Sequence, residues 1–256
     1  MIHAPSSTQT KTDNVVRSLK RPASPSNWWH YPASVATVLL AFTGYSIWTA
    51  LQGSNSFHQF LSPYYSPQIA VGRTPVSPAF FVLWVPLLFR ATCYYYRKAY
   101  FRGFFAHPPA CAHTEPKRRS YLGETQFPFI LNNLHRFFFY LAVIVLAFLW
   151  WDALRAFDYN GHFYLGVASV LMLVNVVLLS LYTFGCHAFR HLAGGRLNCY
   201  SCSRSAKFML NTWKGVTTLN IRHSRFAWLS LFSVAIVDAY IHLLAAHVFV
   251  DPHILF

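Results

Sequence analysis

The sequence predicts an all-α integral membrane protein, a bundle of five spanning helices, and three observations carry the prediction. Of its 256 residues, 55% are hydrophobic and only 11% are charged, whereas soluble domains average about 25% charged residues. The apolar residues gather into five runs, 31–51, 78–96, 130–151, 163–186 and 226–250. Each approaches the roughly 20 residues that cross a bilayer core of about 30 Å. The Lys and Arg residues, 21 against 7 acidic ones, stand in blocks between those runs. A net charge of +14 would suit nucleic acid, but this distribution is that of a membrane topology, and no nucleic-acid partner is expected.

Residues 1–30 are polar and basic and lack the pattern of a secretory signal. Lys11, Arg17, Lys20 and Arg21 hold this segment in the cytoplasm. The first helix follows, with Trp28, Trp29 and Tyr31 as an interfacial belt. Ser77-Pro78 opens the second, since proline is tolerated in a first turn, and Pro86 is expected to kink it. The next segment, 97–129, carries Arg97, Lys98, Arg102, Lys117, Arg118 and Arg119. Pro108, Pro109 and Pro116 prevent it from being one helix. The third helix ends at a second belt, Trp150 and Trp151. Gly194-Gly195 stops the extension of the fourth helix, and 187–225 again is basic. After the fifth helix, 251–256 forms a short tail. All Lys and Arg residues except Arg73 and Arg155 then lie on the cytoplasmic side, and the C-terminus lies outside. The spans from 31 to 250 make one domain, without internal repeat, in the inner (plasma) membrane.

All five cysteines fall on that same cytoplasmic side. Cys93 sits near the end of helix two, Cys111 after a double proline, and Cys186 at the end of helix four. His135 lies one turn into helix three. His187 and His191 are spaced i, i+4, so one helical face presents both. A cysteine at a helix end is more often a small buried hydrophobe than a ligand. Three cysteines and three histidines at one depth, from different helices, nevertheless point to a metal centre. Cys199-x-x-Cys202 lacks the second pair that a structural zinc site needs, and a cytoplasmic position argues against a disulfide. Both are read as incidental.

The stretches RATCYYYRKAYFR (90–102), PPAC (108–111), GETQF (123–127), NLHRFFFY (133–140), YTFGCHAFRHLAGGR (182–196) and 219–238 resemble one family. It is the five-helix, cytochrome b-like, SdhC-type membrane-anchor subunit of an actinobacterial-type succinate dehydrogenase. The resemblance spans roughly residues 80–245. It implies a membrane-embedded Rieske-type [2Fe–2S] cluster, which takes two Cys on one iron and two His on the other. The ligands it implies lie among Cys93, Cys111, Cys186, His135, His187 and His191. Where some relatives carry a further cysteine, this chain has Phe189. The implied partners are a flavoprotein subunit and an iron–sulfur subunit, the latter docked on the basic face, with membrane lipid around the spans. The implied activity is that of respiratory complex II: electrons from succinate pass through the anchor to a membrane quinone, menaquinone or ubiquinone. The chain itself carries no dinucleotide fingerprint. Tyr94, Tyr95, Tyr96, Arg97, Arg102 and His223 are candidates for binding quinone.

Asp238 and His242 stand one turn apart inside the fifth span. An ionisable group at that depth is a functional candidate, as a proton path or as a structural pair. Asn175 reads as interhelical glue. Two other functions stand beside the relay. A haem-b anchor would use two axial histidines, such as His135 and His187. A small transporter or scaffold would hold no redox centre, and transporters commonly show repeat symmetry that is missing here.

Overall fold

The computed structural model describes residues 29–52, 56–68, 77, 79–104, 130–195 and 197–256, without the side chains of Phe101 and Arg102. Trp28, Pro78, Cys111, the prolines at 108, 109 and 116, and the GETQF stretch lie outside the described residues.

The long apolar runs become helices: α1 His30–Leu51, α2 Ala79–Thr92, α3 Tyr94–Phe104, α4 Ile130–Arg155, α5 Val167–Phe184 and, after the short α6 His187–Arg190, α7 Arg204–Ile221 and α8 His223–Ala245. By length and composition α1, α4, α5 and α8 can each cross a membrane, and α2 with α3 forms a fifth span if that bent pair is taken as one. Their outward faces carry large exposed apolar side chains such as Leu40, Leu87, Phe137 and Ile144. Water would penalise such a surface; hydrocarbon does not.

The described residues fall into two units, 29–39 with 98–104, and those of 40–97 with those of 122–256. In the first, a Cβ on Gly103 would stand 3.1 Å from the Pro32 carbonyl oxygen, so the missing side chain lets the start of α1 approach. In the second, α4, α5 and α8 close around Leu146, Ala153, Ala168, Met172, Val176, Val237, Ile241 and Leu244. Asn175 on α5 accepts from the Ser233 hydroxyl of α8 at 2.7 Å, the interhelical bond expected of it.

Three expectations are corrected. The fold is not purely helical: Ser56–Phe57 (β1) pairs with Phe60–Leu61 (β2), and Asp158–Tyr159 (β3), His162–Gly166 (β4) and His253–Leu255 (β5) form a three-stranded antiparallel sheet. The fourth span therefore starts at Val167 rather than 163, because Asn160 and Gly161, both at positive φ, turn β3 back into β4. The segment 251–256, read as a plain tail, contributes β5, paired with β4 from Gly166 to Tyr164. Second, the run 78–96 is not one helix: it is interrupted at Cys93, with a bend of 78° between α2, which contains Pro86, and α3. Third, Cys199 and Cys202 are joined in a disulfide, with Cα atoms 5.8 Å apart. A two-residue spacer in a loop brings the pair within bonding range.

The extension of the fourth span breaks first at Gly185-Cys186, then continues through α6 into a wide π-type turn, His191–Gly195, that ends at the glycine pair. A Cβ on Gly194 would meet the Met209 carbonyl oxygen at 3.0 Å, so this glycine is what lets the turn lie on α7.

Candidate redox centre

Both buried thiols sit where a helix is interrupted. Cys93, 1% exposed, occupies the break between α2 and α3, and its carbonyl accepts the Arg97 N–H at 2.8 Å. Cys186, also 1% exposed, is the N-cap of α6, its sulfur accepting the Phe189 N–H at 3.4 Å. A helix N-terminus favours thiolate, and burial opposes it. Burial, then the Arg190 charge, lowers His187 below its ordinary value, so that ring stands neutral and its lone pair is available.

These groups share one cavity of about 310 Å³, lined by Cys93, Cys186, His135, His187, His191 and His223 together with Thr92, Tyr94, Tyr95, Asn132, Asn133, Arg136 and Ala188. His135 stacks on Phe89 with ring centroids 4.7 Å apart. Its Nδ1 lies 3.0 Å from the Thr92 hydroxyl, which already donates to the Leu88 carbonyl at 2.7 Å. With that hydroxyl donating to Leu88, its oxygen can accept from Nδ1–H, an arrangement that leaves Nε2 of His135 as a ligand atom.

His223 is the addition that sequence reasoning placed elsewhere. It stacks on Tyr182 at 4.9 Å, and its Nε2 lies 3.7 Å from the Cys93 sulfur. Its Nδ1, buried, has no hydrogen-bond partner among the described residues, while the Tyr182 hydroxyl interacts with the Cys93 thiol. Gly185 makes this position possible, since a Cβ there would stand 2.7 Å from the Leu181 carbonyl oxygen and 3.2 Å from His223 Nδ1. Asn220 locks the contact by donating to the Gly185 carbonyl at 2.8 Å. Arg90, from the same motif as Cys93, lies over the Tyr182 ring at 4.8 Å and donates to the Ser230 hydroxyl at 3.1 Å and the Ala227 carbonyl at 3.1 Å.

Among the described residues, no three His, Cys, Asp or Glu side chains close on one point as a single ion would require. The donors are instead spread around the cavity.

Of the quinone candidates, Tyr94, Tyr95 and His223 line this same cavity, Tyr96 is buried, its hydroxyl bonded to Arg90 and to the Ala227 carbonyl, and Arg97 is buried. The Arg102 side chain and Cys111 lie outside the described residues. Asp238 is elsewhere. Fully buried, it accepts from Tyr45 at 2.5 Å, from Thr49 at 3.0 Å and from Ser62. His242 meets Trp48 edge-on at 5.1 Å.

Comparison with known proteins gives two matches. The model of a family described as actinobacterial succinate dehydrogenase subunit SdhC matches residues 30–247. One chain of a solved structure, the Mycobacterium smegmatis Sdh1 complex in the apo form, is similar at 36% identity and a TM-score of 0.80. The match covers 93% of this chain and 95% of that one. No curated protein matches.

Proposed function

This chain belongs to the family of actinobacterial succinate dehydrogenase subunit SdhC, and we propose that within the membrane part of that enzyme it relays electrons through a Rieske-type cluster to quinone. The family and the complex it resembles make it a multi-pass membrane-anchor subunit of a succinate dehydrogenase, assembled with other subunits.

The observation that carries the relay is the shared cavity, in which two buried thiols from different helix breaks meet imidazoles from α4, α6 and α8. Cys93 and Cys186 are the thiols assigned to one iron, with Cys111 the remaining candidate. His135, through Nε2, and His187 are assigned to the other. When bound, such a cluster carries one electron at a time at a potential above that of an all-cysteine cluster. The chain's own part is positional. Thr92 holds His135 in one tautomer, the 78° break turns Cys93 toward the cavity, and Gly185 admits His223 beside it. The iron–sulfur subunit docks on the face carrying 187–225, the cytoplasmic one by the distribution of Lys and Arg, and the flavoprotein subunit oxidises succinate beyond it. Asp238, met by three hydroxyls, is assigned to locking α8 to α1 rather than to carrying protons.

The test is a low-temperature EPR spectrum of the purified, ascorbate-reduced complex beside an optical spectrum. The expected result is a signal with average g near about 1.9 that disappears in Cys93→Ala while the subunit still assembles. A reduced haem band in its place moves the centre to the histidines. Neither signal in an iron-replete complex overturns the relay.

A further inference from the structure

The link between Cys199 and Cys202 lies apart from the candidate centre, in the loop between the His191–Gly195 turn and α7. Cys199 is half-buried and Cys202 is exposed. The distribution of Lys and Arg puts this loop on the cytoplasmic side. Thiols there are kept reduced, and the disulfides that do form are usually transient and catalytic or redox-sensing. A structural staple is a poor account of this one. A disulfide stabilises a fold mainly by restricting the unfolded chain, and more so for longer loops. This one joins cysteines only three positions apart.

Its surroundings favour an open form as well as a closed one. Cys202 directly precedes Ser203, the N-cap of the 18-residue α7, whose hydroxyl accepts the Ala206 N–H at 3.1 Å. The first turn of α7 has no acidic residue and carries exposed Arg204 and Lys207. A helix dipole calls for negative charge at this end. A thiolate on Cys202 supplies it, and a sulfur stabilised as thiolate leaves readily in thiol–disulfide exchange.

The link encloses Tyr200. The Tyr200 hydroxyl donates to the Gly194 carbonyl at 2.9 Å, and the Leu197 N–H donates to the same oxygen at 3.2 Å. Gly194 lies close on α7, where a Cβ would meet that of Trp213 at 3.1 Å. It belongs to the turn that begins at His191, and His191 lines the cavity of Cys93 and Cys186. The closed ring therefore fastens, through one hydroxyl, a turn that reaches that cavity.

We propose that Cys199 and Cys202 are an exchange site for a cytoplasmic dithiol, and that their oxidised form fastens the His191–Gly195 turn. A thiolate of the dithiol bonds to the exposed Cys202 sulfur, the Cys199–Cys202 bond breaks, and Cys199 leaves as a thiolate and takes a proton. The second thiol of the reductant then attacks the mixed disulfide, closes the reductant's own disulfide and releases Cys202. Two electrons and two protons pass to the pair. A small-molecule disulfide reverses both steps. The inference rests on the cytoplasmic placement of this face and not on the electron relay.

The test uses the whole complex in inverted membrane vesicles, cytoplasmic face outward, equilibrated in mixtures of reduced and oxidised dithiothreitol. Free thiols are trapped with a membrane-impermeant maleimide, and mass spectrometry reads the linked fraction of the pair. Hydrogen exchange of the His191–Gly195 amides is followed on the same samples. The expected result is a reversible passage from almost wholly linked to almost wholly reduced, with those amides exchanging about tenfold faster in the reduced form. Tyr200→Phe should reproduce the faster exchange while the pair stays linked. Cys199→Ser with Cys202→Ser should exchange at the fast rate in every mixture. A pair that holds one state across the whole range, whether by its own stability or under cover of another subunit, overturns the site. Labelling confined to right-side-out vesicles overturns the cytoplasmic placement and the proposal with it. A reversible pair with unchanged exchange in the turn overturns the coupling. The EPR signal of the candidate centre is recorded separately, so failure of the relay leaves each of these readouts standing.

Discussion

The two ends of the spans treat their polar groups in opposite ways. At the end carrying the β1–β2 hairpin and the three-stranded sheet, each carboxylate has donors. Asp238 has three hydroxyls, Asp152 has Ser66, and Asp251 has the hydroxyls of Tyr164 at 2.7 Å and Tyr240 at 2.6 Å and the Ala168 N–H at 3.2 Å. At the cysteine end, His223 Nδ1 is buried without a partner among the described residues, beside two buried thiols. A satisfied buried network rigidifies a fold. An unsatisfied buried group in a native protein calls for an explanation, and a ligand is one. The lesson for a membrane protein is that a charged residue inside a span is a weaker pointer to function than an incomplete set of hydrogen bonds.

Substitutions that break this comparison should fall in a definite order. Asp238→Ala removes an acceptor shared by Tyr45, Thr49 and Ser62. It should cost about 3 kcal/mol or more, since three hydroxyls each lose their acceptor at roughly 1 kcal/mol or more apiece, read as a large drop in the thermal midpoint of the detergent-solubilised complex. If turnover falls while that midpoint holds, Asp238 carries protons after all. Asp251→Ala strips two tyrosines and the first turn of α5 of a charged acceptor. About 2–3 kcal/mol is expected, seen in the same melt with the EPR signal unchanged.

Gly185→Ala sits at the other end and separates stability from function. The added methyl must displace His223 or the Leu181 carbonyl, at about 1–3 kcal/mol of strain. The spectrum of the centre should change along with the melt; an unaltered spectrum would detach His223 from the site. Smallest in stability is Thr92→Val, about 1 kcal/mol. It frees the His135 tautomer, so its effect belongs in a redox titration, where a shifted midpoint potential is expected and an unmoved one argues that His135 is not a ligand.

Much of the fold was legible because hydropathy and the placement of cations are blunt signals that a bilayer enforces. Asn175 was legible too, since a lone amide in a span has few alternatives to a neighbouring helix. The strand at 162–166 was not, because Phe163, Tyr164 and Leu165 continue the apolar run, and a short apolar strand cannot be told from helix by periodicity. Asn160-Gly161 was the signal that marks that turn. Cys93, Cys186 and the three histidines were singled out from motif and depth, and they line one cavity. The place of His223 was hidden by 130 residues of separation from Cys93. Thr92 and Arg90 sat unread inside the same motif as Cys93. The Cys199–Cys202 link was discounted on grounds of compartment, which constrain chemistry but not geometry.

Asp251 accepts from the Ala168 N–H across a separation of 83 residues, where a capping side chain would ordinarily sit next to its helix. Gly166 directly before α5 has no side chain to do this, and the Asp251 carboxylate occupies the space its Cβ would need. During synthesis, then, α5 enters the bilayer with its first turn unfinished. It is completed only after α8 has been inserted and residues 251–256 have been delivered to the same side. A ribosome that stalls before codon 251 leaves a polypeptide with all its spans and a frayed one among them.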